Sequence, residues 1–512
     1  MKLKKKIAAA LLGVMTVVTV FPAGVANATE VNTYTYNYDY WGLEYESPDA
    51  YKPVAYTDGA ALGTKALKTP KGMFVRDNSI YVVDTGNNRI LELAAEDTGL
   101  SLIREITEFT GETKVLNGEE PVLTFNAPQD IYVAENGDMY ITDQANYRIL
   151  HLNKDLQLVK EMLKPDSPLL EADNPFEPNK IVVDRAGRMF VLAKNVNKGV
   201  MQFEEDGNFV GFIGASEVAF NMMDYLKKKF STKAQRDQMI DFVPTEYNNI
   251  YIDNKSFIYC TTEVFEEADL DSGTAKPIRK LNSLGGDILI RNGGWVPCGD
   301  WDWGSAAGMN GPSRIVDITA MNDETYYVVD RVRGRIFGYD EQGHLLYAFG
   351  GPGNQLGYFT YPIAIEHVGT DLYVLDTTTG GITRFTRTEF GKLIHNALDE
   401  YDVGNYEGSA EYWKEVLAMN GNYELAYIGI GRSHLRQQDY KTAMEYFKVM
   451  RDDENYSRAW KYYRKDWIEN NLGYVIIVLV VLGFIPVIVK KIKKIRWEAK
   501  EQYEFESESK NK

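Results

Sequence analysis

The chain has 512 residues, 44% of them hydrophobic, with a formal charge of −17 and a pI near 5.0. That leaves room for one large domain and smaller parts. So acidic a balance excludes nucleic acid as the partner, because phosphate contact needs a basic footprint.

The N-terminus reads as an export signal. Lys2, Lys4, Lys5 and Lys6 precede an apolar run from Ile7 to Val20, and Ala26-Asn27-Ala28 offers a small-x-small cleavage site. Residues 1–28 are expected to be removed, so that the mature protein begins at Thr29. From Thr33 to Trp41 tyrosines alternate with strand period, and one face becomes a row of phenols. That row either packs on a domain rim or forms a binding stripe.

A repeat dominates the next part of the chain. Tyr81-Val-Val-Asp84 runs on through Asn87 to Arg89-Ile90, and Tyr140-Ile-Thr-Asp143 through Asn146 to Arg148-Ile149. Tyr327-Val-Val-Asp330 leads to Arg335-Ile336, and Tyr373-Val-Leu-Asp376 leads to Ile382. Each copy is a short apolar strand, a polar turn opened by Asp, and a further strand. Repetition at a few tens of residues, with two strands per copy and no helix between them, points to a β-propeller. The Asp is expected to accept from backbone amides two residues on and so fix a tight turn. The Arg is placed to reach a carboxylate or carbonyl of a neighbouring blade. Residues that recur in every repeat are scaffold first.

With Pro70-Lys-Gly-Met-Phe-Val ahead of the first copy and Pro128-Gln-Asp-Ile-Tyr-Val ahead of the second, the repeat resembles the NHL family. The likeness decays at Phe190-Val-Leu-Ala193 and around Ile258-Tyr259-Cys260. Six blades are expected over residues 29–389, four well marked and two inferred from spacing, in an all-β propeller. Ser216 to Asp241 has helical spacing, which predicts a helical insertion over 215–245 between blades three and four. Cys260 and Cys298 are too few for disulfides to carry the stability of so long a chain. A bridge between them within blade four is a reading that spacing leaves open.

The loop Gly293 to Gly304 holds Trp295, Asp300, Trp301, Asp302 and Trp303. Indole faces stack on apolar surfaces, including the C–H faces of sugars, and Asp accepts from hydroxyls, so these five residues form the candidate binding platform. Packing between blades four and five is the competing role. Gly350-Gly-Pro-Gly353 reads as an inter-blade turn. The last blade lacks its outer strand after Arg387, whereas residues 51–57 form an orphan strand. That segment is expected to complete blade six, since an open ring leaves sheet edges exposed.

Catalytic signals are thin. His151, His344, His367, His395 and His434 show no metal-ligand spacing, and no cofactor or metal site is expected. The resemblance does extend to six-bladed calcium-dependent lactonases, which hold a central metal with Glu, Asn and Asp. It therefore implies an enzyme as the alternative to a binding protein.

Residues 390–465 turn helical. Asn405-Tyr406 to Trp413 aligns with Asp439-Tyr440 to Phe447 at an offset of 34, and with Tyr427, Gly431 and Ala443 this resembles tetratricopeptide repeats. Leu472 to Val489 is apolar and long enough for a transmembrane helix. Lys490 to Arg496 after it marks the cytoplasmic side, and leaves 490–512 as a short cytoplasmic tail. The expected whole is a single-pass membrane protein with its body outside the cell. Its partner is expected to be a carbohydrate or the subunits of a surface assembly such as a sugar-uptake system.

Overall fold

In the computed structural model the described residues are 34–39, 41–113, 122–170, 173–214, 247–265, 267–293, 295–300 and 311–510. The expected signal segment, the helical insertion over 215–245, and Trp301, Asp302 and Trp303 lie outside them.

Six antiparallel sheets follow one another along the chain. Blade one is β4–β7 (Gly72–Arg76, Ser79–Asp84, Arg89–Glu96, Gly99–Ile106), and blade two is β8–β11 (Pro128–Val133, Met139–Asp143, Arg148–Leu152, Leu158–Met162). Blade three is β12–β15 (Pro178–Val183, Met189–Ala193, Val200–Phe203, Phe209–Ile213). Blade four is β16–β18 (Asn249–Ile252, Ile258–Thr261, Ile278–Leu281) among the described residues. Blade five contains β19–β22 (Ile315–Ala320, Tyr326–Asp330, Arg335–Tyr339, Leu345–Gly350), and blade six β23–β25 (Pro362–Val368, Asp371–Asp376, Gly381–Arg387). The first strand of each blade touches the first strands of both neighbours, in the order β4, β8, β12, β16, β19, β23 and back to β4. This is a closed six-bladed propeller.

Two N-terminal pieces finish the sheets. β3 (Tyr51–Asp58) lies antiparallel on β25, from Tyr51 opposite Arg387 to Asp58 opposite Gly381, and supplies the outer strand of blade six. β1 (Tyr36–Tyr38) and β2 (Glu44–Glu46) form a hairpin on β22 and widen blade five to six strands. Tyr36 and Tyr38 are buried there, with the Arg335 guanidinium 4.6 Å from the centre of the Tyr36 ring. For these two tyrosines, packing is the role.

The closing strand is anchored by more than its ladder. Tyr51 is fully buried, stacks on Phe349 at 5.3 Å, and meets the Tyr327 hydroxyl at 3.2 Å. Arg387 Nε donates to the Tyr51 hydroxyl at 2.8 Å. Beside this, Val82 and Leu91 of blade one pack on Ala364 and Leu375 of blade six in one apolar layer. Closure therefore removes an edge and buries large side chains together. Cys260 and Cys298 are both free and buried.

Up to Ile394 the chain is one compact unit, and from His395 it is a second. After α1 (Glu389–Asp402) come α2 (Tyr406–Met419), α3 (Glu424–Arg436), α4 (Tyr440–Val449) and α5 (Asp453–Lys510). Asn405 caps α2 by accepting from Gly408 N, and Asp439 caps α4 by accepting from Thr442 N, both at 3.2 Å. A Cβ on Gly431 would stand 2.6 Å from the Phe447 ring. The small residue is what lets α3 and α4 approach. Helix α5 carries the exposed apolar stretch Leu472 to Val489, and it is long and apolar enough to cross a membrane.

The anchoring role of Tyr51 sets an expected outcome. Tyr51→Ala removes a fully buried aromatic ring and should destabilise the propeller by about 3–5 kcal/mol, read as a lower urea midpoint. An unchanged midpoint would show that β3 is dispensable for closure.

Candidate functional site

Six equivalent positions face the propeller axis. They are Gly72, Asp130, Lys180, Asn249, Asp317 and Ala364, each paired with the same register position of the second strand of its blade. Two residues on, strand alternation brings Phe74, Tyr132, Val182, Tyr251, Thr319 and Glu366 to equivalent positions, of which Val182 packs in an apolar cluster with Phe190 and Leu192. The first tier is polar in four blades and small in the other two. A Cβ on Gly72 would sit 2.8 Å from Asp130 Oδ1, so glycine there leaves space for the aspartate.

This tier closes the channel with charge. Lys180, its side chain 12% exposed, places Nζ 3.6 Å from Asp130 Oδ1. Asp130 Oδ2 accepts from Ile181 N at 3.0 Å. Asp317 accepts from Ile365 N at 2.7 Å, from Ile318 N at 2.9 Å and from the Asn249 amide. Burial pushes the Asp317 carboxyl up to about 7, and the Glu366 carboxyl well above the usual range, with Asp317 adding to the second shift. Lys180 keeps its proton despite burial, because Asp130 and Asp317 raise it. With one ammonium among three buried carboxyls, protons held on Asp317 and Glu366 remove the excess negative charge.

On the hairpin side of this plug lies a cavity of about 320 Å³, lined by Phe74, Tyr132, Tyr251, Glu366 and His367 among others. Thr319 Oγ lies 3.2 Å from Glu366 Oε2 and 2.8 Å from His367 Nδ1. Burial lowers His367 to about 4, so the ring is neutral. A hydroxyl has one proton to give. Thr319 donates to Glu366 Oε2, and the chain is satisfied when His367 Nδ1–H donates to Thr319. The site is therefore a polar pocket with a neutral acid at its floor.

The calcium implied by the lactonase likeness does not fit these residues. The oxygens of Asp130 and Asp317 are committed to backbone amides, to Asn249 and to Lys180. An ammonium and a divalent ion side by side would repel strongly at low dielectric. Among the described residues no group of three or more His, Cys, Asp or Glu is arranged to hold a metal.

The repeat motif forms clasps away from the axis. Asp84 Oδ2 accepts from Asn87 Nδ2 and Arg89 Nε, both at 2.7 Å, while Oδ1 accepts from Lys68 N at 2.7 Å. Asp143, Asn146, Arg148 and the Asn126 amide repeat this in blade two at 2.7–2.8 Å. The arginine takes its own blade's aspartate because the two are opposite in register. Its other nitrogens hold Lys65 O and Thr124 O of the linkers leading in from the preceding blade. In blades five and six the aspartate uses amides two residues on instead: Asp330 accepts from Val332 N and Asp376 from Thr378 N, each at 2.8 Å. Arg335 turns to Asp300.

Of the expected platform, Trp295 is 50% exposed. Asp300 is 1% exposed and holds Arg335, Arg333 and the Tyr38 hydroxyl, so it ties the loop to blade five. These two do not form one exposed surface. The axial residues Asp130, Lys180, Asn249, Asp317 and Glu366 did not stand out in the sequence. The first four share a single repeat position, the third of the Pro-x-Gly opening, which changes chemistry from blade to blade, and Glu366 lies two residues beyond it in blade six.

No family model matches the chain. It is similar to a Mus musculus protein described as NHL repeat-containing protein 3, 28% identical over 153 residues, or 28% of this chain and 42% of that protein. The match thus spans less than half of its relative. Among solved structures it is similar to a virginiamycin B lyase from Staphylococcus aureus, at 12% identity and a TM-score of 0.38 over 66% of this chain and 100% of that one. A Bacteroides thetaiotaomicron protein of unknown function shows 12% identity and a TM-score of 0.38 over 67% and 79%. At that level no lyase chemistry transfers.

The Asp317 proton makes a measurable signature. Its carboxyl moves from the usual 3.8 to about 7 on folding, so the folded state holds a proton that the unfolded state releases. Its contribution to stability is full below the lower value and lost as pH rises through the upper one. Glu366, Asp130 and Lys180 face it in both wild type and variant, so comparison isolates the one group. The stability of Asp317→Asn relative to wild type should rise between about pH 4 and 7, followed by urea unfolding. A constant difference across that window would contradict a raised Asp317.

Proposed function

We propose that this chain is a membrane-tethered binding and scaffold protein, its propeller and helical repeats facing away from the cytoplasm. There they engage a carbohydrate or the protein subunits of a surface assembly. The observation that carries the reading is the C-terminal helix. Leu472 to Val489 is an exposed apolar stretch, interrupted by no charge and followed at once by Lys490, Lys491, Lys493, Lys494 and Arg496. So large an apolar surface is costly in water and favourable in lipid. Basic residues on one flank orient such a span with that flank in the cytoplasm. Trp467 and Tyr474 on the near side and Trp497 on the far side suit the two interfaces.

Binding rather than turnover suits the propeller. Its buried carboxylates are held by internal donors, and NHL-type repeats supply a rigid body with two broad faces. The helices α2–α4, with α2 and α4 capped at matching positions and α3 packed on α4 through Gly431 and Phe447, resemble tetratricopeptide units and suit a protein partner.

External protease added to intact cells should digest residues 34–465 and spare an epitope placed on the tail after Trp497. Protection of the propeller with digestion of the tail would reverse the orientation, and release of the whole chain by salt alone would remove the tether.

A further inference from the structure

The hairpin-side cavity has the size of a small-molecule site, since ligand pockets begin at roughly 300 Å³ and this one holds about 320 Å³. Asp77, Glu135 and Arg185 stand on its exposed rim, and its other charged groups are committed elsewhere. Asp184, at the rim, accepts from Ala186 N and Arg188 N at 2.9 Å and from Arg188 Nε at 2.7 Å. Asp253 accepts from Lys255 N at 2.9 Å and Phe257 N at 2.8 Å, with Lys280 at 3.8 Å. Arg76 donates through Nε and Nη2 to Val133 O at 2.8 and 2.6 Å, and its guanidinium lies over the rings of Phe74 and Tyr132 at 5.4 and 5.6 Å.

These contacts decide what the pocket can recognise. A ligand cation would find two of the three aromatic faces already covered by the Arg76 guanidinium, Asp184 and Asp253 turned to their own hairpins, and Arg185 on the rim. A ligand anion would meet Asp77, Glu135, Asp184 and Asp253 at the rim. Below the rim, what remains is a surface of uncharged hydrogen-bonding groups and one aromatic wall, Tyr251, whose hydroxyl is fixed on Ala320 O at 3.2 Å. We propose that the cavity binds a neutral, hydroxyl-rich ligand of mono- to disaccharide size, with Glu366 both donating to it and accepting from it, and Tyr251 packing on a C–H face. A carboxylic acid kept protonated by burial offers one donor and further acceptor capacity, which matches a sugar's paired hydroxyls.

The proposal rests on the binding reading above and narrows it. Its failure would leave the membrane tether standing, and a reversed topology would leave binding by the purified protein unchanged. The test uses the full chain in phosphatidylcholine nanodiscs, because sugar-headed detergents would compete. Saturation-transfer NMR and calorimetry are run with glucose, galactose, maltose and cellobiose, and with glucuronate and glucosamine as charged probes of similar size.

At least one neutral sugar should bind, and the charged probes should bind about tenfold more weakly or worse, a factor equal to about 1.4 kcal/mol. Glu366→Gln keeps a neutral donor and acceptor and should retain binding, whereas Glu366→Ala should lose it. Asn322→Trp changes an exposed residue at the rim and should block entry without touching the floor. Failure of every neutral sugar to bind overturns the proposal. So does equal binding of the charged probes, or binding that survives Asn322→Trp.

Discussion

A lysine ammonium sits near the axis of this propeller, and the centre of the ring is arranged around it. Removing an ion from water costs several kcal/mol even after relaxation, and only close opposite charge and hydrogen bonds offset that cost. Lys180 comes from blade three, Asp130 from blade two and Asp317 from blade five, so the compensation reaches across the ring. The same demand places Asn249 against Asp317 and leaves blade one a glycine. The channel is thereby closed at this tier. What lies on the hairpin side of it becomes a pocket with a floor.

Around that centre, the blades are joined by two different devices. Linkers leading into blades one and two are clasped by an Asp–Asn–Arg set, in which the aspartate takes a linker amide and the arginine a linker carbonyl. In blades five and six the aspartate folds its own turn through backbone amides and also accepts from the linker at Arg314 N, Thr360 N and Tyr361 N. Both solutions satisfy a buried carboxylate while fixing the angle at which the chain enters the next blade. The ring is then shut by β3, whose Tyr51 joins β25 to a buried cluster of tyrosines on blade five.

Much of this could be read from the residues in order. Period-2 apolar strands ending in Asp gave away four blades, because each such strand must bury one face against its neighbours. Blades three and four keep the strand pattern and lose the clasp, so only spacing placed them. The axial plug was not legible in the same way. Its residues occupy one repeat position as Gly, Asp, Lys, Asn, Asp and Ala, and each alone looks like an ordinary strand or turn residue. Only superposition of all six blades brings Lys180 and Asp317 together, although 137 positions separate them in the chain. Asp300 shows the opposite failure. A carboxylate among tryptophans and glycines reads as a surface loop, yet Arg333 and Arg335 draw it inside.

The central claim is that an internal ammonium together with retained protons, and no metal, neutralises the axial carboxyls. Calorimetric unfolding of the full chain with added calcium chloride, against a chelator, tests it most directly. A bound ion at a hundred times its Kd would stabilise the folded state by about 2.7 kcal/mol. On the present account wild type unfolds at the same temperature with calcium or chelator, while Lys180→Met unfolds lower because two carboxylates lose their cation. A calcium-dependent rise in the wild-type unfolding temperature, lost in Asp317→Ala, would contradict it.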